Sequence, residues 1–296
     1  MDLVGNDFKR YKEILLKSLK YFDNFCNKHN LLYYAAYGTA LGAIRHHGFI
    51  PWDDDIDVFM PRKDYEKLLS LKEEIKKDHY YVYDPSDQGY YKQFAKMVDM
   101  KTSLWELKEI PFMIGVFIDI FPLDFSPLGF RNAILLKKKH TSYYWNLKRA
   151  EDNHTWKDVF YSIFKQSGIK LFMKELYSMI WLKNRRGMLK KKFAALDKLI
   201  RQFPDNNFVT SYWGVYKEKE VMPKSWFKGF IEVPFENYKI RVPINYETYL
   251  TNIYGDYMKM PPKEKQKTHH KHYYYNLDKR MSIEEAENFL NANKRL

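Results

Sequence analysis

Trp52-Asp53-Asp54-Asp55-Ile56-Asp57 places four carboxylates in six residues, and Asp55 to Met60 alternates polar with apolar side chains until Pro61 stops it. Alternate side chains of a strand share a face, so Asp53, Asp55 and Asp57 point one way while Ile56, Val58 and Met60 point into a core. Carboxylates held together on one partly buried face raise one another's pKa, or cost stability, unless a divalent cation neutralises them. Hard oxygen ligands select Mg2+, Mn2+ or Ca2+. An EF-hand calcium loop also opens Asp-x-Asp-x-Asp, but it needs Gly where Val58 stands and a bidentate Glu where Asp64 stands. A solvated acidic loop is the remaining alternative to a catalytic metal site.

Upstream, Leu31 to Tyr37 is short, aromatic and apolar and reads as a buried strand; Gly38-Thr39 then opens a short helix, Ala40 to Arg45. Free backbone N–H groups and the positive dipole end at a helix start can hold a phosphate, and Thr39 can donate its hydroxyl. A Gly-Thr pair alone is equally well explained as plain capping. The acidic strand that follows gives it a chemical meaning.

Several elements must position these residues. Apolar residues from Phe8 to Cys26 fall at three-and-four spacing, which predicts an amphipathic helix from Asn6 to about Lys28 covering a sheet. A helix over Arg62 to Lys77 and strands over Gln93 to Val98 and Gly115 to Phe121 follow, the last apolar except for Asp119. Residues 1–127 therefore read as a mixed α/β (α+β) catalytic core. Residues 128–203 turn helical and basic, with Val159 to Leu182 carrying an apolar series that suits either a membrane interface or a helix packed on the core. Residues 204–296 regain short strands, Ile231 to Phe235 and Lys239 to Val242, and are expected to complete the site and the acceptor region.

With 45% apolar and 29% charged residues, the 296-residue chain has ordinary globular composition. No apolar run is long enough for a membrane span and no leader is evident, which predicts a cytoplasmic protein. Cys26 is the single cysteine, so no internal disulfide or multi-cysteine zinc site can form. A net charge of +13 calls for an anionic partner. Basic residues spread over helices, and the lack of any nucleic-acid module signature, favour peripheral contact with an anionic membrane and no nucleic acid.

Nucleotidyltransferase-fold enzymes share a Gly-Ser or Gly-Thr turn, Asp-apolar-Asp on the next strand and a third carboxylate on a later strand. Here the third is Asp119, a lone charge in GVFIDIF whose burial without a cation would be costly; Asp124 is its rival. More narrowly, YGTALGAIRHHGFIPWDDDIDVFMPRKDYEKL resembles the LicD family of phosphocholine transferases, which includes the fukutin-related ribitol-phosphate transferases. FAKMVD with Thr102, GVFIDIFPLD and IYGDYMKMPPKEK resemble that family's later blocks, so the likeness runs from about Leu31 to about His270, without a nameable motif in the helical middle.

The resemblance implies a nucleotidyltransferase-like fold and transfer of a phospho-alcohol from a CDP-linked donor, such as CDP-choline, to a sugar hydroxyl of a glycan that is generally lipid-linked or at the cell surface. Teichoic acid, capsule and lipopolysaccharide are the acceptor classes to consider. Carried over, Asp55, Asp57 and Asp119 are the catalytic metal carboxylates, for Mg2+ or Mn2+, with Asp53 in support. Arg45 and Lys96, basic and close to the site's elements, are candidates for the donor diphosphate beside Gly38 and Thr39. Choline's quaternary ammonium asks for aromatic faces, with Trp52, Tyr37 and Trp105 available. His269, His270 and His272 match no helical metal pair and are expected to be solvated, and Tyr254-Gly255-Asp256 is either an acceptor contact or a plain turn. The competing readings are a nucleotidyltransferase acting on a small molecule, which would release pyrophosphate, and a non-catalytic membrane-surface binding protein.

Overall fold

The computed structural model describes residues 3–151, 168–268, 270 and 272–293. They form two compact units, residues 1–123 with 224–296, and residues 124–223. The protein is of α/β class, as its sequence pattern predicts.

In the first unit, helix α1 (Gly5–Lys28) buries Tyr11, Leu15, Leu19, Phe22, Phe25 and Cys26 on the face that the apolar spacing defines. Strands β1 (Tyr34–Ala35), β2 (Asp57–Pro61), β3 (Tyr80–Tyr83), β4 (Ala95–Asp99) and β6 (Phe117–Phe125) make a sheet of order β1-β2-β6-β4-β3. Only the β2–β6 pair is parallel among these. Val58, Phe59 and Met60 of β2 are all fully buried, as expected for a strand covered on both faces. Strand β5 (Ser103–Trp105) pairs with β11 (Tyr274–Asn276), and β9 (Phe230–Phe235) with β10 (Tyr238–Pro243) in a hairpin. Neither β3, β5 nor β11 was expected from the pattern; all are short and aromatic.

Several expected elements change their bounds. The strand before Gly38 shrinks to Tyr34–Ala35, because helix α2 (Tyr37–His46) begins at Tyr37 and not at Ala40. The helix over Arg62 to Lys77 breaks into α3 (Arg62–Ser70) and α4 (Lys72–Ile75). At the break the Ser70 hydroxyl donates to the Lys67 carbonyl at 2.7 Å and Leu71 N–H bonds Leu68 O, a tightened turn that competes with the regular ladder. The strand expected over Gly115 to Phe121 starts only at Phe117. A Cβ on Gly115 would stand 1.9 Å from the Asp99 carbonyl oxygen, so glycine alone allows the approach by which Asp99 N–H reaches Val116 O.

In the second unit, α5 (Phe130–Glu151) packs on α7 (Arg186–Ile200), with α6 (Gly168–Tyr177), a π turn (Ser178–Leu182) and a 3-10 turn (Lys183–Arg185) between them in sequence. The end of β6, Asp124 and Phe125, pairs with β7 (Phe208–Thr210), and β7 pairs with β8 (Val221–Pro223). Residues 204–223, grouped with the C-terminal part in the sequence reading, thus belong to this unit because their strands pair here. At its centre Lys137 Nζ lies 2.6 Å from Glu220 Oε2, both side chains at most 1% exposed, and also donates to Ser211 O at 2.7 Å. The apolar series from Val159 is described only from Gly168 onward; Phe160, Ile163 and Phe164 lie outside the described residues. Among the described residues, no helix is long and apolar enough to cross a membrane. Two further helices of the first unit are α8 (Tyr246–Tyr254), which buries Tyr249, Leu250 and Ile253, and α9 (Ile283–Asn293).

Candidate active site

Parallel pairing of β2 with β6 sets Asp57 opposite Asp119 in register. Neighbouring strands stand about 4.8 Å apart, so the two carboxylates arise side by side from rigid backbone. The ladder begins at Asp57; Asp53 to Ile56 form the approach to it, with Asp119 N–H donating to Ile56 O at 2.8 Å. Gly38 and Thr39 occupy the first turn of α2. Tyr37 N–H donates to the Tyr249 hydroxyl at 2.8 Å, and Asp57 N–H donates to Thr39 Oγ1 at 2.8 Å. Because Thr39 Oγ1 accepts from Asp57, its own hydrogen remains to be donated elsewhere, and its first task is to fix the start of the acidic strand.

A Cβ on Gly38 would fall 2.5 Å from Asp53 Oδ2. Gly38→Ala is therefore expected to push the Asp53 carboxylate aside, lowering turnover about tenfold or more through misplacement while costing only about 1 kcal/mol of stability. Paired kcat and thermal melting measurements check this; unchanged kcat would remove Gly38 and Asp53 from the site.

The loop from His47 to Ile56 is stapled from three directions. Glu236, in the β9–β10 turn, accepts from Phe49 N–H at 3.0 Å and donates its own N–H to His47 O at 2.8 Å. Lys12 of α1 donates to Ile50 O and Pro51 O at 3.3 and 3.2 Å. Gly42 lets the Gly48 carbonyl approach to a point where a Cβ would stand 2.5 Å away. An acidic loop free in solvent would need none of these ties.

The electrostatics follow from burial and crowding. Burial, then the charge of Asp53, pushes the Asp55 carboxyl up to about 8. Burial, then Asp55 and Asp119, raises Asp57 well above the usual carboxylate range. Burial and Asp54 raise Asp53. Asp54 goes the other way: burial would raise it, but the hydrogen bond and charge of His270 outweigh that. Lys96, 2% exposed, sets Nζ 2.7 Å from Asp119 Oδ1, 3.8 Å from Glu106 Oε1 and 3.1 Å from the Phe117 ring centroid. Lys96 and Asp119 form a largely buried ion pair. Glu106 is held down at about 2, Lys96 and Lys92 overcoming the burial that would raise it.

Two histidines close the constellation, contrary to the expectation of solvent exposure. His270 Nδ1 lies 2.8 Å from Asp54 Oδ1 and its Nε2 3.7 Å from Asp55 Oδ2. His272 is 3% exposed, with Nε2 3.8 Å from Asp54 Oδ2 and its ring stacked on Tyr11 at 5.9 Å. The Asp54 hydrogen bond raises His270 to about 9, whereas burial drops His272 to about 4. Both rings approach the same carboxylate, Asp54. His269 lies outside the described residues.

Among the described residues, no three His, Cys, Asp or Glu side chains already stand as a closed metal-holding group. The donor set nonetheless fits a hard divalent cation in its chemistry: burial and mutual repulsion raise Asp55 and Asp57, and Asp119 stands in register beside Asp57. This fit has a measurable sign. Both raised carboxyls keep their protons in the folded state after the unfolded chain has lost them, from about pH 4, so folding stability falls as pH rises toward about 8. Millimolar Mg2+ or Mn2+ is expected to raise Tm by about 5 °C at the upper end of this window and by less near pH 5. Calorimetry that found equal shifts at both pH values, or none, would contradict the assignment.

Of the other expected site residues, Arg45 turns to the C-terminal loop, Nη1 donating to Tyr257 O at 2.9 Å and Lys259 O at 3.4 Å. It thereby ties α2 to the turn that begins at Gly255, where φ is +75°. Tyr37 is buried with Phe59 and Phe121 edge-on to its ring, and Trp105 is buried with its indole N–H donating to Leu107 O and Ile110 O. Trp52 keeps partial exposure. Asp124 is buried in the second unit opposite Thr210, so the carboxylate beside Asp57 is Asp119.

The first turn of α2, the Asp55-Ile56-Asp57 run whose last residue opens β2, and Asp119 on the adjacent parallel strand stand together as the nucleotidyltransferase resemblance led one to expect. The sequence profile described as LicD/FKTN/FKRP, nucleotidyltransferase domain, matches residues 30–151. The lipopolysaccharide cholinephosphotransferase LicD of Haemophilus influenzae is 32% identical over 262 residues, 87% of this chain and 93% of that protein. The chain belongs to the LicD family. An uncharacterized protein of Rickettsia prowazekii is 37% identical over 57 residues, 19% of this chain and 21% of its own.

Proposed function

We propose that this protein transfers phosphocholine, or a similar phospho-alcohol, from a CDP-linked donor to a sugar hydroxyl of a cell-surface glycan at the cytoplasmic face of the membrane. The observation that carries the reading is the register of Asp57 with Asp119, which joins the acidic loop, the first turn of α2 and Lys96 in one buried place. A lipopolysaccharide sugar is the first acceptor to test, since the Haemophilus relative bears that substrate in its name; teichoic acid and capsule sugars are the alternatives.

In this mechanism Asp55, Asp57 and Asp119 would hold Mg2+ or Mn2+, which when bound would supply charge neutralisation at the donor's phosphates. Thr39 donates its hydroxyl hydrogen to a phosphate oxygen, and the first turn of α2 offers its positive dipole end. The acceptor hydroxyl attacks the choline-bearing phosphorus in line; a new P–O bond forms, the bond to the bridging oxygen breaks, and CMP leaves with that electron pair. Asp119 takes the hydroxyl proton. Lys96 steadies Asp119, and His270 steadies Asp54 and faces Asp55. Trp52 offers a partly open ring to the quaternary ammonium.

Incubation with Mg2+, a panel of CDP-choline, CDP-ribitol and CDP-glycerol, and a lipid-linked glycan tests this. Acceptor-dependent CMP release with one donor is the expected result. Pyrophosphate release from a nucleoside triphosphate, with no CMP from any of the donors, would replace the reading with nucleotidyl transfer.

A further inference from the structure

The charge of +13 is not shared between the two units. Residues 124–223 carry 20 Lys and Arg against 9 Asp and Glu, a net +11, which leaves +2 for the other 196 residues. In the same unit, Ile169, Met173, Tyr177, Ile180 and Trp181 are 78, 58, 49, 45 and 50% exposed. Their spacing of four, four, three and one places them on one side of α6 and the π turn after it, a stripe about 18 Å long. Burying apolar side chains is the main favourable term in folding, so a continuous large-residue stripe left open to water marks a surface meant to be covered.

The stripe's composition points to what covers it. Its far end is aromatic and cationic: the Tyr177 and Trp181 rings stack at 6.5 Å, and the Arg185 guanidinium lies 4.1 Å from the Trp181 ring centroid. Apolar residues leading to Trp, Tyr and Arg are the composition of a helix lying in a bilayer's headgroup boundary. The opposite side is anchored, since Leu182 is 3% exposed and packs with Leu189 and Leu147. A second copy of a unit with net charge +11 would be repelled, whereas an anionic leaflet is complementary to it.

We propose that the stripe Ile169, Met173, Tyr177, Ile180 and Trp181 docks this protein peripherally on an anionic bilayer surface, its apolar side chains entering the headgroup boundary and the unit's positive charge facing acidic lipid. The proposal is independent of the transferase reading, because no carboxylate of the candidate site takes part.

Sedimentation of the full chain with vesicles tests it. The protein is expected to pellet with phosphatidylcholine vesicles containing about a quarter phosphatidylglycerol, and about tenfold less with phosphatidylcholine alone or in high salt. M173E/W181E is expected to lose at least about tenfold of the anionic-vesicle partition with an unchanged melting profile, while M173L/W181F retains it. Asp55→Asn should bind vesicles like the parent, which separates failure of docking from failure of the chemistry. Parent protein that stays in the supernatant with anionic vesicles overturns the proposal. So does M173E/W181E that pellets like the parent, or light scattering that shows a dimeric parent and a monomeric variant.

Discussion

An Asp57→Asn protein is expected to lose about a thousandfold or more of its CMP-releasing turnover, yet to melt no lower than the parent at pH 8 without divalent cations. The loss follows from the position of Asp57, which shares its register with Asp119 and is strongly raised by burial and by its acidic neighbours. Asn keeps the size and the backbone N–H that donates to Thr39 Oγ1. It removes a charge that the folded state disfavours at that pH, so stability is retained or gained. The added Mg2+ shift in Tm should shrink with it. Turnover within tenfold of the parent would end the catalytic reading of this residue. A large drop in Tm without cations would show instead that Asp57 is a structural anchor.

The second large effect concerns stability alone. Lys137→Met is expected to destabilise the second unit by about 3–5 kcal/mol, because it leaves Glu220 buried without its cation. Glu220 is fully buried, with Oε2 2.6 Å from Lys137 Nζ and Oε1 accepting from Tyr216 N–H at 3.0 Å. Pairing the change with Glu220→Gln should restore most of the loss, since a neutral amide needs no counter-charge. Denaturant melts of the single and double variants measure the coupling. A single variant as stable as the parent would mean that water or another group reaches Glu220.

The first unit was legible where chemistry and periodicity agree. Asp57 and Asp119 were expected on neighbouring strands and stand in register; the hairpin near residues 231–242 and helix α1 fall within a residue or two of their expected bounds. Lys96 could be placed near the site by its strand, but its burial between Asp119 and Glu106 could not be seen, because Glu106 follows a three-residue strand with no periodic signal of its own. His270 and His272 were misjudged for a related reason. Polar neighbours in KTHHKH suggest solvent, and only the long-range approach to Asp54 reveals that the segment folds inward. Arg45 sits on the expected helix, yet its guanidinium serves the Tyr257 and Lys259 carbonyls, a tertiary commitment no local pattern encodes. The uneven charge was open to counting, but it gains meaning only once the unit boundaries at 123/124 and 223/224 are drawn.

The acidic loop is stapled by Glu236, and the first helical turn beneath it by the Tyr249 hydroxyl, both from the far side of a 100-residue insertion. During synthesis the whole inserted unit leaves the ribosome before Glu236 and Tyr249 do, so Asp55, Asp57 and Asp119 are made long before the residues that hold their loop and helix. The nascent chain thus carries these acids for most of its translation without the geometry the proposed chemistry requires, and that geometry arrives late, as the C-terminal strands and helix dock.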